Sequence, residues 1–277
     1  MSGGATMQPG ELDGKVALVT GGTLGIGRAA AIALARQGAS VVIVGTDRGH
    51  LGDALGEMRG MGLGIDGRLA DVAVAAEVEA AVAWAVDRFG GLDILVNSAG
   101  IQRYGTVVDT SEELWDRVFD VNVKGMFLTA KHAIPHLRGR GGGSIVNVSS
   151  VQAFVALSGS AAYVASKGAI NSLTRAMAQD HAKEGIRVNV VCPGSVDTPM
   201  LRWAADLFRG DLPVETLVES WGSAHPMGRM ARADEVADVI AWLAGPRSSF
   251  VTGAAIPVDG GLLTTVAVAL PPDEVEA

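Results

Sequence analysis

Tyr163 and Lys167 stand four residues apart, the spacing that puts a phenol and an ammonium on one face of a helix. A phenol with its ordinary pKa near 10 is a poor base at neutral pH. A neighbouring ammonium favours the phenolate and lowers that value. Such a pair can pass a proton to and from an oxygen, which is general acid–base work. Ser150, upstream at the end of an apolar run, adds a hydroxyl that can hold a substrate oxygen.

The second constellation is Thr20-Gly21-Gly22-Thr23-Leu24-Gly25-Ile26-Gly27, between a β-branched run and an Ala-rich segment. Glycines at a strand-to-helix turn let the backbone approach a pyrophosphate, and the positive end of the helix then faces the phosphates. With a strand before and a helix after, the turn reads as a dinucleotide site. Together with the Tyr–Lys pair it points to hydride transfer at a carbonyl or carbinol carbon of a small molecule. The next strand ends Val44-Gly45-Thr46-Asp47-Arg48, which offers both signs of charge. Asp47 can bond the ribose 2′-hydroxyl of NAD or cap the following helix. Arg48 can meet the 2′-phosphate of NADP or lie in solvent. NAD and NADP both stay open, with a slight lean to NAD.

No metal site is expected. His132 and His136 are four apart, but Ala133 stands where a zinc protease needs glutamate, and Pro135 lies between them. The single cysteine, Cys192, precedes Pro193 at the end of an apolar strand and reads as an inert buried thiol. One cysteine also excludes an intrachain disulfide framework.

These groups need a scaffold that gathers distant positions. Short β-branched runs at 16–20, 41–44, 92–96, 144–149, 187–191 and 255–258 alternate with helical-period segments. Those segments are 25–37, 48–59, 74–89, 111–137, 161–183 and 234–243. Strands apolar on both faces, alternating with helices, imply a parallel sheet covered on both sides. Right-handed crossovers make it a single-domain, doubly wound, Rossmann-like α/β fold. Residues 11–261 read as one dinucleotide-binding oxidoreductase domain, 1–10 as a flexible leader and 262–277 as a C-terminal tail. At 277 residues and 48% hydrophobic, the chain can bury a large core and is not disordered. Its 22 basic against 30 acidic side chains give a net charge of −8, which argues against nucleic acid. The longest uncharged stretch, between Arg140 and Lys167, is too rich in Ser, Gly and Asn to enter a membrane. Residues 1–10 lack the features of a secretion signal, so a reducing, cytoplasmic setting is expected.

In order along the chain, the motifs Thr20-Gly21 with Gly25-Ile26-Gly27, Asp71-Val72 and Asn97-Ser98-Ala99-Gly100 are joined by Asn122, Ser150 and Tyr163 with Lys167. Pro193-Gly194 with Val196 and Thr198 completes the set. From about Lys15 to Gly261 the sequence resembles the short-chain dehydrogenase/reductase family. The resemblance implies that Tyr163 is the acid/base and that Lys167 lowers its pKa and holds the nicotinamide ribose. Ser150 would orient the substrate oxygen, and Asn122 would support the active-site water and proton relay. Gly21, Thr23, Leu24, Gly25, Ile26 and Gly27 would cradle the phosphates, and Thr46, Asp47 and Arg48 would meet the adenosine ribose. Asp71 and Val72 would flank the adenine. Asn97, Ala99 and Gly100 would form the floor, and Pro193, Gly194, Val196 and Thr198 would hold the nicotinamide end. Three positions depart from the family pattern. Ser98 stands where a second Asn is usual, Leu24 where many NADP-dependent members have a basic residue, and Gly45 where many NAD-dependent members have Asp.

Pocket walls are expected from Gln102-Arg103-Tyr104, Val151-Gln152-Ala153 and residues 200–221. Gln152 can serve a hydroxyl as donor and acceptor. Trp203 and Trp221 can offer a flat face to a sugar ring, or simply pack the segment. Trp221 with His225-Pro226-Met227, Ser150-Val151-Gln152 and the tail beyond Asp259-Gly260-Gly261 resemble the aldohexose/glucose dehydrogenase branch. That resemblance implies a sugar or polyol substrate. A 3-oxoacyl thioester, or another ketone or secondary alcohol, is the alternative; Glu184 stands where carrier-protein-docking reductases commonly have a basic residue. A non-catalytic dinucleotide sensor is the alternative of another class, and the intact Tyr163 and Lys167 argue against it. The resemblance also implies a homotetramer, built partly from 111–137 and 161–183. The apolar 262–270 is expected to pack at a subunit interface or on its own subunit.

Overall fold

The computed structural model describes residues 10–265. Within them, seven strands form one all-parallel sheet: β1 (Val16–Thr20), β2 (Ser40–Gly45), β3 (Ile65–Leu69), β4 (Ile94–Asn97), β5 (Gly143–Val148), β6 (Ile186–Pro193) and β7 (Ala255–Val258). Their spatial order is β3-β2-β1-β4-β5-β6-β7. The inner strands are β-branched because both faces are covered. Val41 and Ile43 of β2 join one core layer, while Val42 and Val44 join the other.

Helices α1 (Gly25–Arg36), α2 (Arg48–Gly60) and α9 (Ala233–Ala244) supply the first layer. Ala30, Ala31 and Leu34 share its core with Ile240 and Ala241. Helices α3 (Ala75–Phe89), α5 (Gly125–Gly139) and α6 (Ala161–His181) supply the second, through Val82, Ala133, Ile134 and Met177. Each fully buried Leu or Ile contributes about 1.5–3 kcal/mol by leaving water.

Two features differ from the sequence expectation, and a third region has helices where the sequence named only a pocket wall. β3 is a seventh strand that the hydrophobic pattern does not show. It lies at the sheet edge, so Ile-Asp-Gly-Arg-Leu needs fewer buried positions than an inner strand. Residues 111–137 are not one helix. They form α4 (Glu112–Phe119), a π-helical turn (Asp120–Lys124) and α5. Residues 200–221 contain most of α7 (Pro199–Phe208) and of α8 (Val214–Ser223), whose apolar sides cover a cavity instead of the sheet. The leader through residue 9, and the tail from residue 266 onward, lie outside the described residues.

β1 stands between β2 and β4, so the winding direction reverses there. Thr20 sits level with both Val44 and Asn97. A crevice opens beyond the carboxyl ends of such strands, where doubly wound sheets bind ligands.

Candidate active site

That crevice is a cavity of about 760 Å³, extending from the β1–α1 turn past the ends of β4, β5 and β6 to α7 and α8. At one end the turn is held tightly. The Thr20 hydroxyl oxygen accepts the Ser98 and Ala99 N–H groups at 3.2 and 3.3 Å, and Gly22 N–H reaches Val44 O at 3.1 Å. Gly21 has φ +63°, and a Cβ on it would lie 2.8 Å from Ala99 Cα. On Gly27 a Cβ would lie 2.3 Å from the Gly21 carbonyl oxygen. Side chains there would push β4 and α1 away from the turn. Helix α1 has no side-chain cap and no acid in its first turn, so its first N–H groups face the cavity end with positive potential.

At the other end, Tyr163 lies in the first turn of α6 and Lys167 one turn further, both buried. The ammonium sits 5.2 Å from the Tyr163 ring centroid, and it donates to Val148 O at 3.1 Å. Ser150 follows the end of β5; its Oγ accepts the Gln152 N–H at 3.1 Å, and its own O–H is turned toward the Tyr163 oxygen. Burial lowers Lys167 to about 8, because the charged amine loses water. Burial also raises Tyr163 well above the ordinary phenol value, against the lowering effect of its hydrogen bond with Ser150. The ammonium alone does not set the phenol's state. Tyr163 rests as a protonated donor.

A family model described as enoyl-(acyl carrier protein) reductase matches residues 21–263. The chain belongs to the short-chain dehydrogenase/reductase family. It is 38% identical to the 3-oxoacyl-[acyl-carrier-protein] reductase FabG of Thermotoga maritima, over 91% of this chain and 99% of that one. The ligand-free aldohexose dehydrogenase of Thermoplasma acidophilum superposes with a TM-score of 0.87 at 37% identity, covering 95% of this chain and 100% of that one. A single-site variant of the actinorhodin polyketide ketoreductase with NADPH also gives 0.87, at 36% identity, covering 92% and 99%.

As a short-chain dehydrogenase/reductase the protein uses NAD or NADP, and its own residues fit such a group. The glycine cradle admits phosphates, and buried Lys167 keeps N–H donors beyond its bond to Val148 O. Thr23, Leu24, Gly25, Ile26, Ala99, Gly100, Pro193, Gly194, Val196 and Thr198 line the same cavity as Ser150, Tyr163 and Lys167. Gly21 lines it too, while Gly27 stands just behind and packs α1 on the turn.

Other expected site residues lie behind the wall. Asn97 is buried, with its amide donating to Asn147 Oδ1 at 2.9 Å and its oxygen accepting from Thr129 at 2.6 Å. It supports the floor from below. Asn122, in the π-helical turn, accepts the Ile101 N–H at 2.8 Å and donates to Ile101 O and Ser166 Oγ. Its amide N–H groups are committed, so its observed work is to fix the backbone beside Gly100. Asp71 accepts from Ala73 N–H and Arg117, and Val72 is packed under Gly125. Thr46, Asp47 and Arg48 are exposed at the end of β2, outside the cavity lining.

On the substrate side, Gln152 and Trp221 line the cavity and Trp203 does not. Trp203 is 44% exposed and stacks on Tyr104 at 6.0 Å, with the Arg103 guanidinium 5.5 Å from its ring centroid. It braces the wall from outside. Tyr104 faces inward, wedged also against Phe208 at 4.6 Å. The sequence reading missed Val155, Leu157 and Leu262 as lining residues. The uncharged stretch before Tyr163 was the available signal for the first two. Among the described residues, no three His, Cys, Asp or Glu side chains gather as a metal site would need, and no helix is long and apolar enough to cross a membrane.

Proposed function

We propose that the protein interconverts a ketone and a secondary alcohol on a neutral substrate with a largely apolar body. One observation carries this reading. The substrate end is walled by Val151, Val155, Leu157, Met200, Phe208 and Leu217, and among the described residues the lining holds no Asp, Glu or Arg and a single Lys, Lys167. A phosphate or carboxylate on the substrate would lose water there without a free cation to pair, at a cost of several kcal/mol.

A bound nicotinamide dinucleotide supplies the hydride donor or acceptor. Ser150 donates to the carbonyl oxygen, and Tyr163 gives that oxygen its proton. Burial keeps Tyr163 in the donor state that carbonyl reduction requires. The Lys167 ammonium then steadies the phenolate in surroundings that hold little water.

An aldose or polyol is the second reading, favoured by Gln152. Its buried Oε1 has no hydrogen-bond partner in the protein and suits a substrate hydroxyl. A panel of aryl ketones, aldohexoses and acetoacetyl thioester, with both cofactors in both directions, decides between them. The highest kcat/KM is expected on the apolar ketones. A tenfold preference for aldohexoses would replace this reading with the sugar one.

NAD is proposed as the preferred cofactor. Asp47 Oδ1 caps α2 by accepting the His50 N–H at 2.7 Å, and the second carboxylate oxygen remains for a ribose hydroxyl. Asp47→Ala is expected to lower the NAD-over-NADP ratio of kcat/KM about tenfold, as the loss of a charged hydrogen bond implies. Losing the cap also lowers Tm by about 2–4 °C. A lower Tm with an unchanged ratio would make Asp47 a cap alone. A homotetramer is part of the proposal, supported by the exposed Trp115 on α4 and Phe127 on α5.

A further inference from the structure

We propose that His225 is a positioning residue whose neutral imidazole clamps α8 to the exit of β6, and so sets the affinity for substrate. The proposal rests on the family's oxidoreductase activity and not on the choice of substrate. His225 is only 3% exposed, and each end of its ring has a partner. Nε2 faces the Ser195 N–H at 3.1 Å, while Nδ1 faces Trp221 O at 3.0 Å and Gly222 O at 3.3 Å. A backbone N–H can only donate, so Nε2 carries the lone pair. Carbonyl oxygens can only accept, so Nδ1 carries the proton. One tautomer of the neutral ring satisfies both ends.

The segments it joins are those that shape the cavity. Ser195 follows Gly194 at the end of β6, and both line it; Trp221 lines it from the last turn of α8. A Cβ on Gly194 would lie 2.8 Å from His225 Nε2, so this glycine leaves the ring its place. The next turn continues the connection, with Met227 N–H donating to Gly260 O at 3.2 Å, two residues before the cavity-lining Leu262. Helix α8 has little other anchorage. Gly222 is its single buried residue, and the Arg202–Glu215 pair at 3.6 Å is exposed. Its apolar positions Val214, Leu217, Val218 and Trp221 are only half-buried, so the helix depends in part on its hydrogen bonds for position. The clamp therefore fixes Trp221 against the substrate while leaving the reacting groups on β5 and α6 untouched.

The test compares His225→Phe, which keeps a ring without hydrogen bonds, with His225→Gln, whose amide oxygen can accept the Ser195 N–H. Hydrogen exchange of the intact protein is read first, because it needs no substrate. In His225→Phe the amides of 214–223 are expected to exchange at least tenfold faster, with those of α9 unchanged. With whichever panel probe the wild type turns over fastest, KM should rise about tenfold. The kcat should stay within threefold, and His225→Gln should recover most of the KM. Wild-type exchange and KM in His225→Phe would overturn the proposal. So would a fall in kcat at constant KM, or a Gln variant no better than Phe. An inactive panel with the expected exchange pattern would count against the proposed substrate and leave the clamp standing.

Discussion

Tyr163→Phe is expected to lower kcat by about 10²–10⁴-fold while the dinucleotide Kd stays within threefold. The substitution keeps the ring that packs in the first turn of α6 and removes only the hydroxyl. Tyr163 rests protonated because burial raises its pKa, so the hydroxyl is the proton donor the reduction needs. Ser150 can still polarise the carbonyl oxygen, but the proton donor is gone. Steady-state rates with the best panel substrate and a fluorescence titration with cofactor measure the two quantities. Full turnover in the variant would remove Tyr163 from the chemistry.

Lys167→Met is expected to lower kcat/KM by about 10²–10³-fold and to raise the dinucleotide Kd about tenfold. Two effects coincide because the amine serves two partners. It steadies the phenolate, and its N–H donors beyond the Val148 O bond face the cavity. The same group predicts a stability profile. Its folded value of about 8 lies below its ordinary 10.5, so between those values the unfolded chain binds more protons than the folded one. Wild-type stability therefore rises with pH through this window, by on the order of 3 kcal/mol at most. Tyr163, with a raised value, acts in the opposite sense only above about pH 10. Urea midpoints of Lys167→Met should lack the rise between about pH 8 and about pH 10. A wild-type midpoint that is flat or falling across that window would mean that Lys167 remains charged when folded.

Local pattern determined a large share of this protein. Short continuous β-branched runs and helical apolar spacing reflect contacts between neighbours in sequence, so six strands and the main sheet-covering helices were legible. The glycine turn and the Tyr163–Lys167 pair were legible for the same reason: each is a short-range geometry that one element builds alone. Tertiary structure decided the rest. The edge strand β3 takes its place by pairing with β2, since Asp66, Gly67 and Arg68 make a weak pattern. Helices α7 and α8 turn their apolar sides to a cavity, and that cavity exists only after the sheet has formed. Trp203 faces outward and Trp221 inward, a difference that residue type cannot encode. Asn122 is committed to Ile101 because the π-helical turn brings it there across 21 residues. The phenol's pKa depends on how much water the finished fold removes, which spacing four residues apart does not contain. His225 was visible only as a member of a motif. Its contact with Trp221 is local, but its role rests on Ser195, 30 residues away, a meeting that only the folded chain creates.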